Sequence, residues 1–182
     1  MDPLRVNIAA RQFIKNKFSR PQRPASDSFQ AKDVMVAVHR DKNGNIKGVR
    51  EVIDIMCNGG LAEIAGLIIT DVTGVTKFDY IGIGTGDATA QATNDSLESK
   101  LKVKAGTGSR VTTNVANDTG QIVATFSSAD GLSGQKAITE AVVQNMSTTG
   151  KVACRQVFAA LNVDWDAGDS VEITEKVVCS GA

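Results

Sequence analysis

The sequence has few of the residues that usually carry chemistry or cross-link a fold. Its 182 residues include one histidine, three cysteines, one tryptophan and one tyrosine. Cys57, Cys154 and Cys179 form no CxxC pair and His39 lies far from them along the chain, so the spacing of a zinc site is missing. The odd number of cysteines argues against a disulfide framework, and we expect three reduced, buried or half-buried thiols.

Net charge and long apolar runs are also missing. Twenty basic and twenty acidic residues give a net charge of zero, which argues against a protein-wide attraction to nucleic acid or membrane. No run of about 18 apolar residues occurs, so no membrane-spanning helix is expected. The N-terminus lacks the apolar core of a signal peptide. The sequence therefore predicts neither nucleic acid nor membrane as a partner.

No pattern typical of catalysis or of a nucleotide site is present. Gly82, Gly84 and Gly86 are spaced two apart, whereas the dinucleotide fingerprint needs a later third glycine and a Walker loop needs Gly-Lys-Ser/Thr. We interpret these glycines as positions where a strand bends and approaches another backbone. His39 ends a predicted strand without a nucleophile or carboxylate pattern around it, and we interpret it as a surface or edge residue. We predict no catalytic residue and no cofactor.

Two groups of acidic residues raise the question of calcium. Asp164, Asp166 and Asp169 share one turn, and Asp87 and Asp95 share a polar loop. The first group lacks the length and ligand order of a twelve-residue calcium loop. We interpret these side chains as solvated turn carboxylates and predict no metal site.

A basic segment opens the chain. Residues 1–24 hold six lysines and arginines against one acidic residue, Asp2, so the segment carries +5 and the rest of the chain −5. Asp2 followed by Pro3 favours a helix start, apolar residues recur at helical spacing, and Pro21 and Pro24 stop the helix. We predict an amphipathic helical arm over 1–24 and a linker over 25–33.

An arm of this composition can dock on a neighbouring subunit, pack on its own domain, or bind lipid or nucleic acid. We favour the first alternative, with apolar side chains as anchors and basic side chains that steer the contact. The residues expected to dock are Val6, Arg11, Phe13, Ile14, Lys15, Phe18 and Arg20.

Alternating apolar and polar residues dominate positions 34–182. The clearest example is a hairpin in which residues 137–144 and 152–157 flank a polar loop that contains Gly150. Further strands are predicted over 34–39, 46–56, 78–84, 110–115, 121–126 and 170–177, a short helix over 61–68, and a polar mobile stretch over 102–109. Few helices and evenly spaced turns favour an all-β fold. We predict an antiparallel β-sandwich of jelly-roll or Ig-like type, with one short internal helix and the N-terminal arm.

Several pieces resemble, in order and spacing, a family of small β-sandwich virion proteins from tailed bacterial and archaeal viruses. Residues 58–67 read NGGLAEIAGL and residues 78–90 read FDYIGIGTGDATA. Residues 138–141 read ITEA, residues 155–163 read RQVFAALNV, and Gly168-Asp169-Ser170 follows. The family contains head decoration (cement) proteins and tail-fibre-like proteins. The basic segment lies outside the shared pattern.

The resemblance implies a non-enzymatic structural protein located in the virion. The favoured role is a capsid decoration or cement protein that binds at junctions of major capsid subunits and stabilises the shell. Its partners would be the major capsid protein or other virion subunits, and it would form a dimer or trimer with its own copies. The alternatives are a tail-fibre or baseplate component, and a carbohydrate- or receptor-binding module. Such a module needs a concave aromatic patch, for which only Tyr80 and Trp165 are suited.

Overall fold

The computed structural model describes residues 29–53, 55–68, 76–148 and 150–181, without the side chains of residues 29, 30, 68, 180 and 181. The predicted arm over 1–24, with every residue expected to dock, lies outside this range. The chain divides into two compact units. The unit Ala31–Cys179 holds the body of the sandwich, and the unit formed by 1–30 with 180–182 is described only at two strand ends.

Besides a short 3₁₀ helix (Ser128–Asp130), ten strands and one α-helix form the regular structure in the described part of the chain. They are β1 (Phe29–Arg40), β2 (Ile46–Ile53), β3 (Ile55–Met56), α1 (Asn58–Ile68), β4 (Tyr80–Gly84), β5 (Lys100–Ala105), β6 (Thr107–Val111), β7 (Thr119–Phe126), β8 (Gln135–Gln144), β9 (Val152–Asp164) and β10 (Ser170–Gly181). The first sheet has the order β2-β1-β10-β7-β6 and the second β3-β9-β8-β4-β5. The predicted all-β antiparallel sandwich with one internal helix is confirmed.

The central hairpin of the second sheet is the one predicted from alternation. β8 pairs with β9 from Gln135 opposite Asp164 to Gln144 opposite Val152, with two irregularities in the register. Because side chains alternate between the two faces of a strand, Ala141 and Val143 face the core between the sheets.

Strand β5 was not predicted, and the expectation of a mobile stretch over 102–109 is wrong. The strand predicted over 110–115 is also misplaced, because β6 ends at Val111 and residues 112–115 lie in no strand. Lysines at 100, 102 and 104 alternate with Leu101 and Val103, so the stretch reads as polar although its pattern has the period of a strand. Both strands lie at sheet edges, where charged residues are common because they discourage pairing with other chains. β1 also begins earlier than predicted, at Phe29 inside the expected linker.

The core between the sheets is aliphatic with few aromatics. Ile122, Ala124 and Phe126 alternate on β7 and are all buried, as their spacing predicted. Trp165 lies in the turn after β9 and is 1% exposed. Other fully buried core side chains are Met35, Ile81, Ile83, Ile138, Val171 and Ile173.

The chain passes from one sheet to the other at two edges of the sandwich. β2 is an edge strand of the first sheet and β3, which follows it, is an edge strand of the second. β5 and β6 make the reverse change around Gly106. At the β2 edge, Arg50 donates hydrogen bonds to the carbonyls of Ala159 (2.8 Å) and Ala160 (3.0 Å) on β9. Side chains therefore link the two sheets where the chain crosses between them.

Helix α1 packs on β9 through its smallest residues. A Cβ atom at Gly60 would overlap the main chain of Ala153, 2.6 Å from its Cα atom. The sequence spacing predicts an apolar face formed by Leu61, Ile64, Ala65 and Ile68. This prediction is wrong, because Leu61 is 53% exposed and Glu63 is buried. A second apolar cluster lies beside the helix. It contains Cys57, Leu97, Val142 and Val152, with Val103 at its border.

Close packing at Gly60 gives a direct test of the helix position. We expect Gly60→Ala to lower the free energy of unfolding by about 1–3 kcal/mol, because the added methyl group must displace the main chain of β9. Gly120→Ala is the matched control, since a Cβ atom there meets no atom within 4 Å. Urea unfolding followed by circular dichroism measures both. Equal stability of the two variants would contradict this packing.

Candidate functional site

The largest polar cluster is centred on a buried ion pair between neighbouring strands. Glu140 on β8 and Arg155 on β9 are 0% and 2% exposed. Arg155 donates from Nε (2.9 Å) and contacts through Nη2 (2.8 Å) the same oxygen of Glu140, Oε2. Two charged groups this far from solvent are stable only when other hydrogen bonds complete their coordination.

Backbone amides of a long loop complete the coordination of Glu140. Oε1 accepts hydrogen bonds from the N–H of Gly86 (3.0 Å) and of Ser99 (2.8 Å), and Oε2 accepts one from the N–H of Glu98 (3.0 Å). Arg155 Nη1 donates to the carbonyl of Ala88 at 3.1 Å. One carboxylate and one guanidinium thus hold both ends of the loop between β4 and β5 against the second sheet.

The glycines before this loop are required by the same cluster. A Cβ atom at Gly84 would lie 2.5 Å from the carbonyl oxygen of Ser99, and one at Gly86 would lie 2.6 Å from Oε1 of Glu140. The predicted close approach to another backbone is confirmed at Gly84 only, because the nearest neighbours of Gly82 and Gly86 are side chains. Gly84 and Gly86 give the carboxylate access to the loop amides.

A second buried carboxylate fixes helix α1. Glu63 is 1% exposed, forms an ion pair with Lys151, and accepts a hydrogen bond from the N–H of Thr76 at 2.9 Å. The hydrogen bond from Lys151 and that from Thr76 lower the pKa of Glu63 against the effect of burial. The helix is therefore held through its acidic side chain.

Asp169 forms a third buried centre with His39 and Lys47. Its Oδ2 atom lies 2.7 Å from Nε2 of His39 and 2.6 Å from Nζ of Lys47. It also accepts the N–H of Asp164 at 3.1 Å. Burial raises the pKa of Asp169, but the hydrogen bonds from Lys47, the Asp164 amide and His39 outweigh it and hold the pKa at about 2.

This centre corrects two predictions. His39, expected at the surface, is 3% exposed, and Asp169, expected to be solvated, is 2% exposed. The two residues lie 130 positions apart, so no local sequence pattern predicts their contact. Asp166, Asp87 and Asp95 are exposed as expected.

The described residues contain one group that could hold a metal ion. Asp33 on β1, Cys154 on β9 and Glu175 on β10 are all buried, and their donor atoms lie within 4.8 Å of one another. A thiolate with two carboxylates is a donor set that zinc accepts. Sequence spacing could not reveal it, because the three residues come from three strands and two sheets.

Two shallow clefts open beside Lys47 and share Asn162. The larger, of about 370 Å³, also contacts Gln135, Lys136 and Asp164. The smaller, of about 220 Å³, reaches His39 and Arg50. Two cationic groups of these clefts already make structural contacts, since Lys47 binds Asp169 and Arg50 binds a β9 carbonyl.

Comparison with known proteins adds no relationship. No family model matches this chain, and neither a curated protein nor a solved structure is significantly similar to it. The virion family named above remains an expectation from the motifs.

The Glu140–Arg155 pair yields a stability prediction. We expect Glu140→Gln to lower the free energy of unfolding by about 3–5 kcal/mol, because it leaves the buried Arg155 with only the more distant and partly exposed Glu98, at 3.6 Å, as a counter-charge. Lys77→Ala, which breaks the exposed pair with Asp79, serves as control and should change stability little. Thermal and urea unfolding measure both variants. A small loss in Glu140→Gln would show that the loop amides alone hold the structure.

Asp169 yields a pH prediction. Its pKa is about 2 when folded and near 3.8 in its ordinary state, so its stabilisation is present above 3.8 and is lost as the pH falls towards 2. Asp169→Asn should be less stable at neutral pH and lose less stability over this acid range. Lys47→Met removes a hydrogen bond that lowers the pKa of Asp169, so the folded pKa should rise towards 3.8 and this variant should lose less stability than the wild type over the same range. Unfolding measured against pH tests both, and parallel curves for all three proteins would contradict this assignment.

Proposed function

We propose that this protein is a non-enzymatic structural component of a tailed-virus particle, most specifically a decoration protein that binds between major capsid subunits. The observation that carries the proposal is where the family-like motifs lie. Gly84 and Gly86 of the IGIGTG strand end, Glu140 of ITEA and Arg155 of RQVF meet in one buried cluster. These motif residues fix the fold and do not form an exposed site. That is expected in a family whose members share an architecture and bind their partners through other parts of their surfaces.

The other motif residues have the same character. Glu63 of NGGLAEIAGL fixes α1 and Gly60 lets it approach β9. Asp169 of the Gly-Asp-Ser piece, in the turn after β9, contacts β1, β2 and the end of β9 through His39, Lys47 and Asp164. These contacts give each motif a role in folding, which supports a structural protein.

The alternatives fare differently. A tail-fibre or baseplate protein would use the same scaffold, so the fold does not separate it from a decoration protein. A carbohydrate-binding module needs exposed aromatic faces for stacking on sugars. Trp165 is buried and Tyr80 is half-buried, which disfavours that module.

Co-sedimentation with particles tests the proposal. We expect the purified protein to bind undecorated capsids of its own virus saturably, at a fixed number of copies per capsid subunit. Phe13→Asp, in the predicted arm, should weaken binding, whereas Val115→Asp, at an exposed loop position, should not. Higher salt should also weaken binding, because basic side chains at an exposed contact are screened.

Whether the protein is recovered with capsids or with tails decides between the decoration role and the fibre role. Absence of capsid binding, with the protein recovered in purified tails, would replace the decoration role with the fibre role. Absence from both fractions would overturn the proposal. Deletion of residues 1–24 should leave the sandwich folded, and unfolding of that variant would show that the segment belongs to the domain.

A further inference from the structure

Between Val34 and Val38, strand β1 is apolar on both of its faces, although Asp33 and His39 are buried on its inner face. Met35 and Ala37 point into the core and are buried, while Val34, Val36 and Val38 alternate with them, are half-buried and lie on the outer face of the first sheet. An uninterrupted apolar run is typical of strands that are covered on both sides, whereas a strand with one solvated face alternates with polar residues. The sequence of β1 therefore indicates that its outer face is covered when the protein acts.

The neighbouring strand extends this surface. Val34 lies opposite Ile53 and Val38 opposite Val49, and Ile53 and Val49 are 66% and 46% exposed. Glu51, opposite Val36, places one negative charge in the middle. We call this surface the valine face. It consists of Val34, Val36, Val38, Val49, Glu51 and Ile53.

The outer face of the second sheet shows what a covered surface looks like in this protein. Val142 alternates with the core residues Ala141 and Val143, yet it is 0% exposed because Cys57 and Leu97 pack on that side. Ile53 remains largely exposed by comparison. Contiguous apolar side chains on an exposed sheet face mark an interaction site.

We propose that the valine face binds the basic amphipathic segment 1–24 of a second copy of this chain. The segment offers apolar side chains at helical spacing, including Phe13 and Ile14, that match an apolar face. The segment has a net charge of +5 and the rest of the chain a net charge of −5, so electrostatic attraction between the two is favourable. Glu51 supplies a negative partner for arginine or lysine at the centre of the contact.

Two features favour this occupant over others. Direct packing of two valine faces would bring together two Glu51 carboxylates and two copies of the region after residue 24, which has a net charge of −5. Charge repulsion disfavours that arrangement. Pro21 and Pro24 favour an extended linker over a sharp reversal between the segment and β1, which suits reach towards a neighbour. This inference concerns self-association and does not depend on the proposed role in a virus particle.

Sedimentation velocity on the full chain tests the proposal. The wild-type protein is expected to self-associate as its concentration rises. Ile53→Lys, in the receiving face, and Phe13→Asp, in the donating segment, should each weaken association by at least about tenfold. Val115→Lys is the matched control, because Val115 is also 66% exposed but lies outside the valine face.

The decisive measurement is whether the two defective variants form complexes when they are mixed. Ile53→Lys keeps an intact segment and Phe13→Asp keeps an intact face, so a mixture of the two, with one of them fluorescently labelled, should form complexes that neither forms alone. Circular dichroism establishes that both variants are folded, and Val49→Lys replaces Ile53→Lys if the latter is not. A wild-type protein that stays monomeric, as docking of each segment on its own chain would give, overturns the proposal. So does a mixture without complexes.

Discussion

The carboxylate of Glu140 is the constraint on which much of the second sheet depends. It is fully buried and accepts hydrogen bonds from Arg155 and from three loop amides, so β8, β9 and the loop between β4 and β5 are fixed by one side chain. Burial of a charge is unfavourable unless it is fully coordinated, and here the coordination is distributed over segments far apart in the chain. The glycines at 84 and 86 follow from this arrangement, since any side chain there would block the carboxylate.

Local alternation was sufficient to predict the fold class and most strands. The β8–β9 hairpin, the apolar face of β7 and the antiparallel sandwich all follow from a period of two and from turn residues. The exceptions were edge strands such as β5, where alternate lysines conceal the period. The face of α1 was also misjudged, because Gly60 and Glu63 make its contacts and larger apolar residues such as Leu61 do not.

The polar centres could not be predicted in the same way. Glu140 and Arg155 stand in motifs that suggested a family, but nothing near either residue indicates that they pair across two strands. His39 and Asp169 are separated by 130 positions, and Asp33, Cys154 and Glu175 come from three strands. Sequence patterns report which side of a strand is apolar. They do not report which ionisable side chains meet once the sheets are stacked.

The two edges at which the chain changes sheets also affect how copies of the protein can pair when they are held close together. An open edge strand offers unpaired amides and carbonyls, and many copies held close together would extend one another's sheets without limit. Here Arg50 ties β2 to carbonyls of β9, and lysines line β5 at the opposite edge. Strand addition at β2 and β5 is thereby disfavoured even at high local concentration. The proposed contact between copies would therefore use a broad sheet face and not a strand edge.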